Sequence, residues 1–240
     1  IQQNLLPRAV PIVAGLRLQG FMIPAKEIGG DYYDYISTSH QSGERRDAHL
    51  GVVIGDVSGK GVAAGLIMAT AKATLKGLSQ QGLSPKQILS QANSIIFEYT
   101  NGHKFMTMLY FQYKEAQKTL SYSSAGHEHI LIYRDALRKV EAIQSGGFML
   151  GMIPDSEQYL EEKELFLDSK DKVLLYTDGV TEAENEPGER FSLERLKAAL
   201  EKNGSKPAQE LMQAIKEQVY AFIGSHPQYD DITLVVMEAA

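Results

Sequence analysis

Seven residues, Gly55-Asp56-Val57-Ser58-Gly59-Lys60-Gly61, constrain this chain more than any others. The apolar run Leu50 to Ile54 leads into them, and a helix-like run, Val62 to Leu78, leads out. One carboxylate therefore stands at the end of a buried strand, on a turn kept tight by glycines. A charged carboxylate there is costly unless a cation or hydrogen bonds compensate it. Taken alone, the turn fits two readings equally well: a ligand for a cation, or an acid that caps its own loop by accepting from nearby backbone N–H groups.

The pattern recurs. Asp31 follows two glycines and opens an aromatic run, Tyr32-Tyr33-Asp34-Tyr35-Ile36. Asp178 closes the apolar strand Lys172-Val173-Leu174-Leu175-Tyr176, one residue on, and is followed by Gly179. Asp230-Asp231 stands directly before Ile232 to Met237. Capping explains any one of these; four at strand ends point to a shared centre. No histidine or cysteine shares the pattern, and all-oxygen ligation selects magnesium or manganese over zinc. Converging carboxylates without a metal would repel one another and raise their pKa values. Two divalent ions would remove that strain, lower the pKa of a bridging water and hold a phosphoryl group for its attack. The chemistry implied is hydrolysis of a phosphate ester with no covalent enzyme intermediate.

Composition sets the outer limits. The chain has 240 residues, 43% hydrophobic and 22% charged, enough for a sizeable core. A net charge of −6 argues against a nucleic-acid partner. There is no cysteine, which removes disulfides, thiolate zinc sites and a cysteine nucleophile and suits a reducing, cytoplasmic setting. No apolar run is long enough to span a bilayer, so no membrane contact is expected of this domain, although an upstream region could carry an anchor. Ile1 is not a natural start, and Ile1 to Pro7 reads as the end of a linker helix from an upstream region.

With no linker, repeat or low-complexity tract, the chain reads as one domain over residues 1–240. Strands are expected at Leu16 to Ile23, around the Asp31 and Asp56 motifs, at Phe105 to Tyr113, Leu120 to Ser124, Ile130 to Tyr133, Lys163 to Leu167 (an edge), Lys172 to Tyr176 and Ile232 to Met237. Ser37 to Asp47 reads as a hairpin loop. Helices are expected at Ala63 to Leu78, from a Ser84 cap and Pro85 to about Tyr99, and at Ser192 to Lys202 and Pro207 to Ile223. Ser145 to Gly151 is a glycine-rich apolar turn without the helix of a nucleotide loop. His127, beside Gly126, reads as structural. The order of elements predicts α+β, with stacked antiparallel sheets and helices outside.

The motifs Gly29-Gly30-Asp31-Tyr32-Tyr33-Asp34, Gly55 to Gly61, Tyr176-Thr177-Asp178-Gly179-Val180-Thr181-Glu182 and Asp230-Asp231-Ile232-Thr233 resemble the metal-dependent protein phosphatase (PPM) superfamily. More narrowly, they resemble its bacterial sporulation stage II E and RsbU-like branch. The resemblance covers nearly the whole chain. It implies a four-layer α-β-β-α sandwich, two antiparallel sheets flanked by helix pairs, with two Mn2+ or Mg2+ ions. It also implies a phosphoserine or phosphothreonine protein substrate, typically a phosphorylated STAS-type anti-anti-sigma factor in partner switching. By the motif, Asp56 matches the acid bridging both metals and Val57 the residue lending its carbonyl. Asp178 and Asp230 match further ligands, and Asp31 an acid reached through water. Asp231 stands where eukaryotic relatives carry Asn and shares or replaces the role of Asp230. Asp56, Asp178 and Asp230 are thus the catalytic set, and Asp34 lies outside it. Ser58 occupies the place of the eukaryotic general-acid histidine, and no arginine precedes Asp31 at the phosphate-binding spacing. The general acid and the phosphate clamp are left unassigned, with Lys60 and Lys26 as candidates. The resemblance also implies a homodimer through the N-terminal segment and the helices after the metal loop.

Two other readings compete: a catalytically silent relative that works as a regulatory binding module, and a hydrolase of a small phosphate ester. Silent relatives lose acids, whereas every motif acid is present here. The lack of a lid or deep apolar pocket motif weighs against the second.

Overall fold

The computed structural model describes residues 5–7, 9–42 and 45–240, without the side chains of 39–42 and 45–48. Its contacts divide the chain into two compact units, each interleaved in sequence. Unit 1 holds residues 1–11, 30–127 and 145–166; unit 2 holds 12–29, 128–144 and 167–240.

Unit 1 is a five-stranded antiparallel sheet with two helices. The strands are β2 (Tyr32–Ser42), β3 (Arg45–Val57), β4 (Met106–Lys114), β5 (Thr119–Ala125) and β8 (Glu162–Leu165), in the order β2-β3-β4-β5-β8. Val52, Val53 and Ile54 are all fully buried, which explains a continuous apolar run where a half-exposed strand would alternate. Helix α1 (Val62–Leu78) buries Ala64, Met68, Ala71, Leu75 and Leu78, one stripe at helical spacing. Helix α2 (Pro85–Thr100) opens with a capping box between Ser84 and Gln87, with Pro85 in its first turn. The two helices bury their stripes in one cluster with Tyr32, Val53, Met106, Met108 and Tyr110.

Unit 2 repeats the plan. Strands β1 (Leu16–Ile23), β6 (Ile130–Arg134), β7 (Lys139–Ile143), β9 (Lys172–Tyr176) and β10 (Ile232–Ala239) run in the order β1-β10-β9-β6-β7, all antiparallel. Helices α4 (Ser192–Asn203) and α5 (Ala208–Ile223) pack Leu196, Leu200, Leu211, Ile215 and Val219 with Leu174, Leu234 and Val236. A four-residue helix, α3 (Asp178–Thr181), follows β9. Two antiparallel sheets, each with a helix pair, match the elements expected from the sequence.

Two details differ, and one lies beyond what the structure describes. Ser37 to Asp47 is mostly paired strand, because polar residues extend the hairpin in register from Thr38↔His49 to Ser42↔Arg45; the turn between them lies outside the described residues. Strand β7 was not expected: Lys139-Val140-Glu141-Ala142-Ile143 is an edge with mostly exposed side chains, so burial leaves little mark on its composition. The helix expected to end at Pro7 falls largely on residues 1–4, outside the described residues. Among the described residues no helix is long and apolar enough to cross a membrane.

The apolar positions of α1 separate into two sets. Leu75 is fully buried while Leu66 is 65% exposed. Leu75→Ala should therefore cost about 2–5 kcal/mol in urea denaturation, and Leu66→Ala less than about 0.5 kcal/mol.

Candidate functional site

In unit 1, Asp31 directly precedes β2, and Asp56 is the penultimate residue of β3. Their loops are joined by backbone: the Val57 N–H donates to the Gly30 carbonyl at 3.3 Å. A Cβ on Gly30 would meet the Val57 carbonyl oxygen at 2.7 Å and Asp56 Oδ1 at 3.2 Å. The glycine is thus what lets the Asp31 loop close on Asp56. Asp31 is buried and Asp56 half-buried.

Beyond Asp56 the turn is clamped to the residues before β4. The Ser58 N–H donates to the Phe105 carbonyl at 2.8 Å, the Phe105 N–H donates to Ser58 Oγ at 3.1 Å, and Lys104 Nζ donates to the Ser58 carbonyl at 2.8 Å. Ser58, which stands where eukaryotic relatives carry a histidine, thus has its hydroxyl engaged by the backbone. Lys104 comes from outside the motifs and was not singled out in the sequence; half-buried, it brings a cation onto this turn. Thr107, paired across the ladder with Asp56, hydrogen-bonds His127 Nδ1 at 2.9 Å, which agrees with a structural histidine.

In unit 2, Asp178 opens α3 and Asp230 and Asp231 precede β10. A Cβ on Gly179 would lie 2.0 Å from the Asp231 carbonyl oxygen and 3.1 Å from Asp230 Cβ, so this glycine too is needed for two acid loops to meet. The paired acids have different duties. Asp231 is 3% exposed, and its Oδ1 accepts from the Ala25 N–H at 2.8 Å while Oδ2 fills the space a Cβ on Gly29 would need. Asp230 is half-exposed, and its Oδ1 accepts from the Asp231 N–H at 2.9 Å. Beside Asp230 and Gly179 a pocket opens, walled by Glu182, Glu184, Arg190 and Tyr229. Arg190 pairs with Glu182 at 2.7 Å and Glu184 at 3.8 Å.

Burial pushes the Asp178 carboxyl up to about 6, and the neighbouring charges of Asp230, Glu182 and Glu128 push it the same way. Glu128 is itself raised, chiefly by burial. It was not among the candidate residues; its only mark in the sequence is its place between β5 and β6. Among the described residues no three His, Cys, Asp or Glu side chains stand close enough together to hold a metal ion. The structure thus brings Asp31, Asp56 and Val57 together in unit 1, and Asp178, Asp230 and Asp231 in unit 2. The donors suit a hard divalent cation: they are oxygen only, and a positive charge beside Asp178 would offset the burial and the neighbouring charges that raise its pKa.

Two outcomes follow. Asp178 holds a proton in the folded state up to about pH 6, whereas the unfolded chain loses it near 3.8. The folded state therefore binds more protons in this window, and its stability falls as pH rises from about 4 to 6. Asp178→Asn should flatten that slope and raise the melting temperature in EDTA at neutral pH. Gly179→Ala should destabilise by about 1–3 kcal/mol or more, because backbone must move to admit its Cβ; calorimetry would read both.

The chain is 29% identical over 239 residues to the phosphoserine phosphatase RsbU of Bacillus subtilis (strain 168), covering 99% of this chain and 67% of that protein. Its fold matches the SiaA-PP2C domain of Pseudomonas aeruginosa with a TM-score of 0.76, at 21% identity over 93% of this chain and 85% of that one. It also matches RsbX, solved in complex with magnesium, with a TM-score of 0.66, at 15% identity over 97% of this chain and 99% of that one. The fold is that of the PP2C-type (PPM) phosphatases, two antiparallel five-stranded sheets with helices. The family model for stage II sporulation protein E (SpoIIE) matches residues 46–240, and the chain belongs to that family.

Proposed function

We propose that this chain is a divalent-metal-dependent protein serine/threonine phosphatase. The observation that carries the reading is the pair of glycine-closed acid loops, Gly30 against Val57 and Asp56, and Gly179 against Asp230 and Asp231, in a chain of the SpoIIE family. Asp56, Asp178 and Asp230, each half-buried, are the proposed ligands, with the Val57 carbonyl as a further one. Asp31 and Asp231, both buried, would contribute through water or by holding their loops. Manganese or magnesium, two ions by the family pattern, would supply an activated water and offset the charge of the phosphoryl group.

The chain's own residues do the rest. Gly30 and Gly179 fix the distance between acid loops, and the Phe105 and Lys104 bonds to Ser58 hold the turn that carries Asp56. The Ser58 hydroxyl accepts the Phe105 N–H, which fixes where its oxygen sits on the turn. The proposed substrate is a phosphorylated STAS-type protein in partner-switching signalling, as the motif resemblance implies. The same resemblance implies a homodimer through the N-terminal segment and helices α1 and α2, where Val62, Leu66 and Tyr99 are exposed.

The direct test is release of phosphate from a phosphorylated STAS protein. Activity should require added manganese or magnesium and vanish in excess EDTA; turnover in EDTA would defeat the metal reading. Asp56→Asn should lose at least about a hundredfold in rate with an unchanged circular dichroism spectrum. Wild-type rates from that variant would remove Asp56 from the site.

A further inference from the structure

We propose that Lys104, a residue outside the acid motifs, supplies the cation that contacts the phosphoryl group of the substrate. The proposal rests on the reading of the acid loops as the site of a metal-dependent phosphatase. It gives a residue to the phosphate clamp that the motifs leave unassigned; the earlier candidates, Lys60 and Lys26, are both exposed.

Lys104 stands two residues before β4, where the chain is tied to the turn that carries Asp56. The paired bonds between Ser58 and Phe105 fix the backbone beside it. From there the side chain folds over the turn, and its ammonium donates to the Ser58 carbonyl at 2.8 Å. It stands where a side chain on Gly59 would reach: a Cβ there would lie 2.5 Å from Lys104 Nζ. Gly59 also has a φ of +83°, so glycine suits this position on two counts. On its other side Gly59 meets the Asp31 loop. Its carbonyl oxygen and Asp56 Oδ1 both lie 3.2 Å from where a Cβ on Gly30 would stand. Gly59 therefore separates the ammonium from the place where the Asp31 and Asp56 loops meet.

A carbonyl on an exposed turn does not need a lysine. Gly59 and Lys60 are exposed, and water would serve the Ser58 carbonyl without freezing a long side chain. Nor is the charge neutralised on the spot. Lys72, Arg134 and Lys172, half-buried or buried, each meet a carboxylate: Asp34, Asp171 and Glu238. Among the described residues the Lys104 ammonium hydrogen-bonds the Ser58 carbonyl alone, which takes one of its three donors. An ion pair with Asp56 would withdraw that carboxylate from a metal. A carbonyl partner leaves the acid to the metal and adds the lysine's charge to that of the ions. A phosphoserine brought beside Asp56 carries close to two negative charges and three acceptor oxygens. The two remaining donors of Lys104 match those oxygens, and charge-assisted bonds of this kind are the strong ones. Lys104 is half-buried, so water screens it less than a surface lysine, yet a ligand can still reach it.

The test uses the whole chain with manganese, p-nitrophenyl phosphate as substrate and inorganic phosphate as competing product. Lys104→Met keeps the stem and removes the charge; Lys104→Arg keeps the charge. In Lys104→Met, kcat/KM should fall by about tenfold or more, and the inhibition constant for phosphate should rise by a similar factor. Manganese affinity by isothermal titration should stay that of wild type, and Lys104→Arg should retain most of the activity and of the phosphate inhibition. A lysine that merely props the turn gives another pattern: weaker manganese binding, rate recovered at saturating manganese, and unchanged inhibition by phosphate. That pattern overturns the proposal, as does a loss of phosphate inhibition in Lys60→Met but not in Lys104→Met. Should Lys104→Met fail to fold, Lys104→Gln serves in its place. If the wild-type chain neither binds manganese nor hydrolyses the ester, the phosphatase reading fails and this one with it, an outcome seen before any variant is compared.

Discussion

Mutual repulsion among carboxylates is the constraint the structure has to meet. Asp178 is half-buried, and its raised pKa expresses that burial first and then the charges of Asp230, Glu182 and Glu128. A chain selected for stability alone would separate these groups. Instead Gly179 removes the one atom that would hold the Asp178 and Asp230 loops apart, and Gly30 does the same for the loops of Asp31 and Asp56. Acids pressed together by backbone that only glycine permits are a store of unfavourable energy that a cation can release. The apolar layers beneath them, with Leu75, Val53 and Tyr110 in one unit and Leu174, Leu211 and Val236 in the other, supply the burial that makes the arrangement tolerable.

The main elements could be read from residue patterns because their patterns are strong. Strands β1 and β9 fall where alternation and apolar runs put them, and Ser84-Pro85 marks the start of α2. The acids were equally legible, since a carboxylate beside glycine at a strand end is rare without a reason. Failures came where burial leaves no trace in composition. Strand β7 is an exposed edge, and the hairpin of β2 and β3 extends through polar residues because backbone pairing alone sustains it. Glu128, Lys104 and the Asp34–Lys72 pair were invisible for another reason: each gains its meaning from a partner far away in sequence. Asp34 reads as a bystander beside Asp31 until the helix 38 residues on delivers its lysine.

The duplicate acids and the substituted serine show how position and role separate. Asp230 and Asp231 are neighbours of the same chemical kind, yet one carboxylate is half-exposed and the other is spent on the Ala25 backbone. Ser58, next to Val57 on the same turn, has its hydroxyl oxygen fixed by the Phe105 N–H. In both cases the hydrogen bonds, rather than residue type, decide how the side chain is held.

The interleaving of the two units has a practical bearing on where this chain can be cut. The backbone passes from one unit to the other five times, so neither is a contiguous fragment. The family match begins at residue 46, inside the β2–β3 hairpin. A fragment trimmed to that boundary would lose β1 and β2 together, each the outermost strand of its sheet. Strand β10, buried over most of its length, and β3, with its apolar run Leu50 to Ile54, would then present unpaired backbone. Open edges of that kind recruit strands from other chains, so such a fragment would form intermolecular sheets and aggregate rather than behave as a minimal domain.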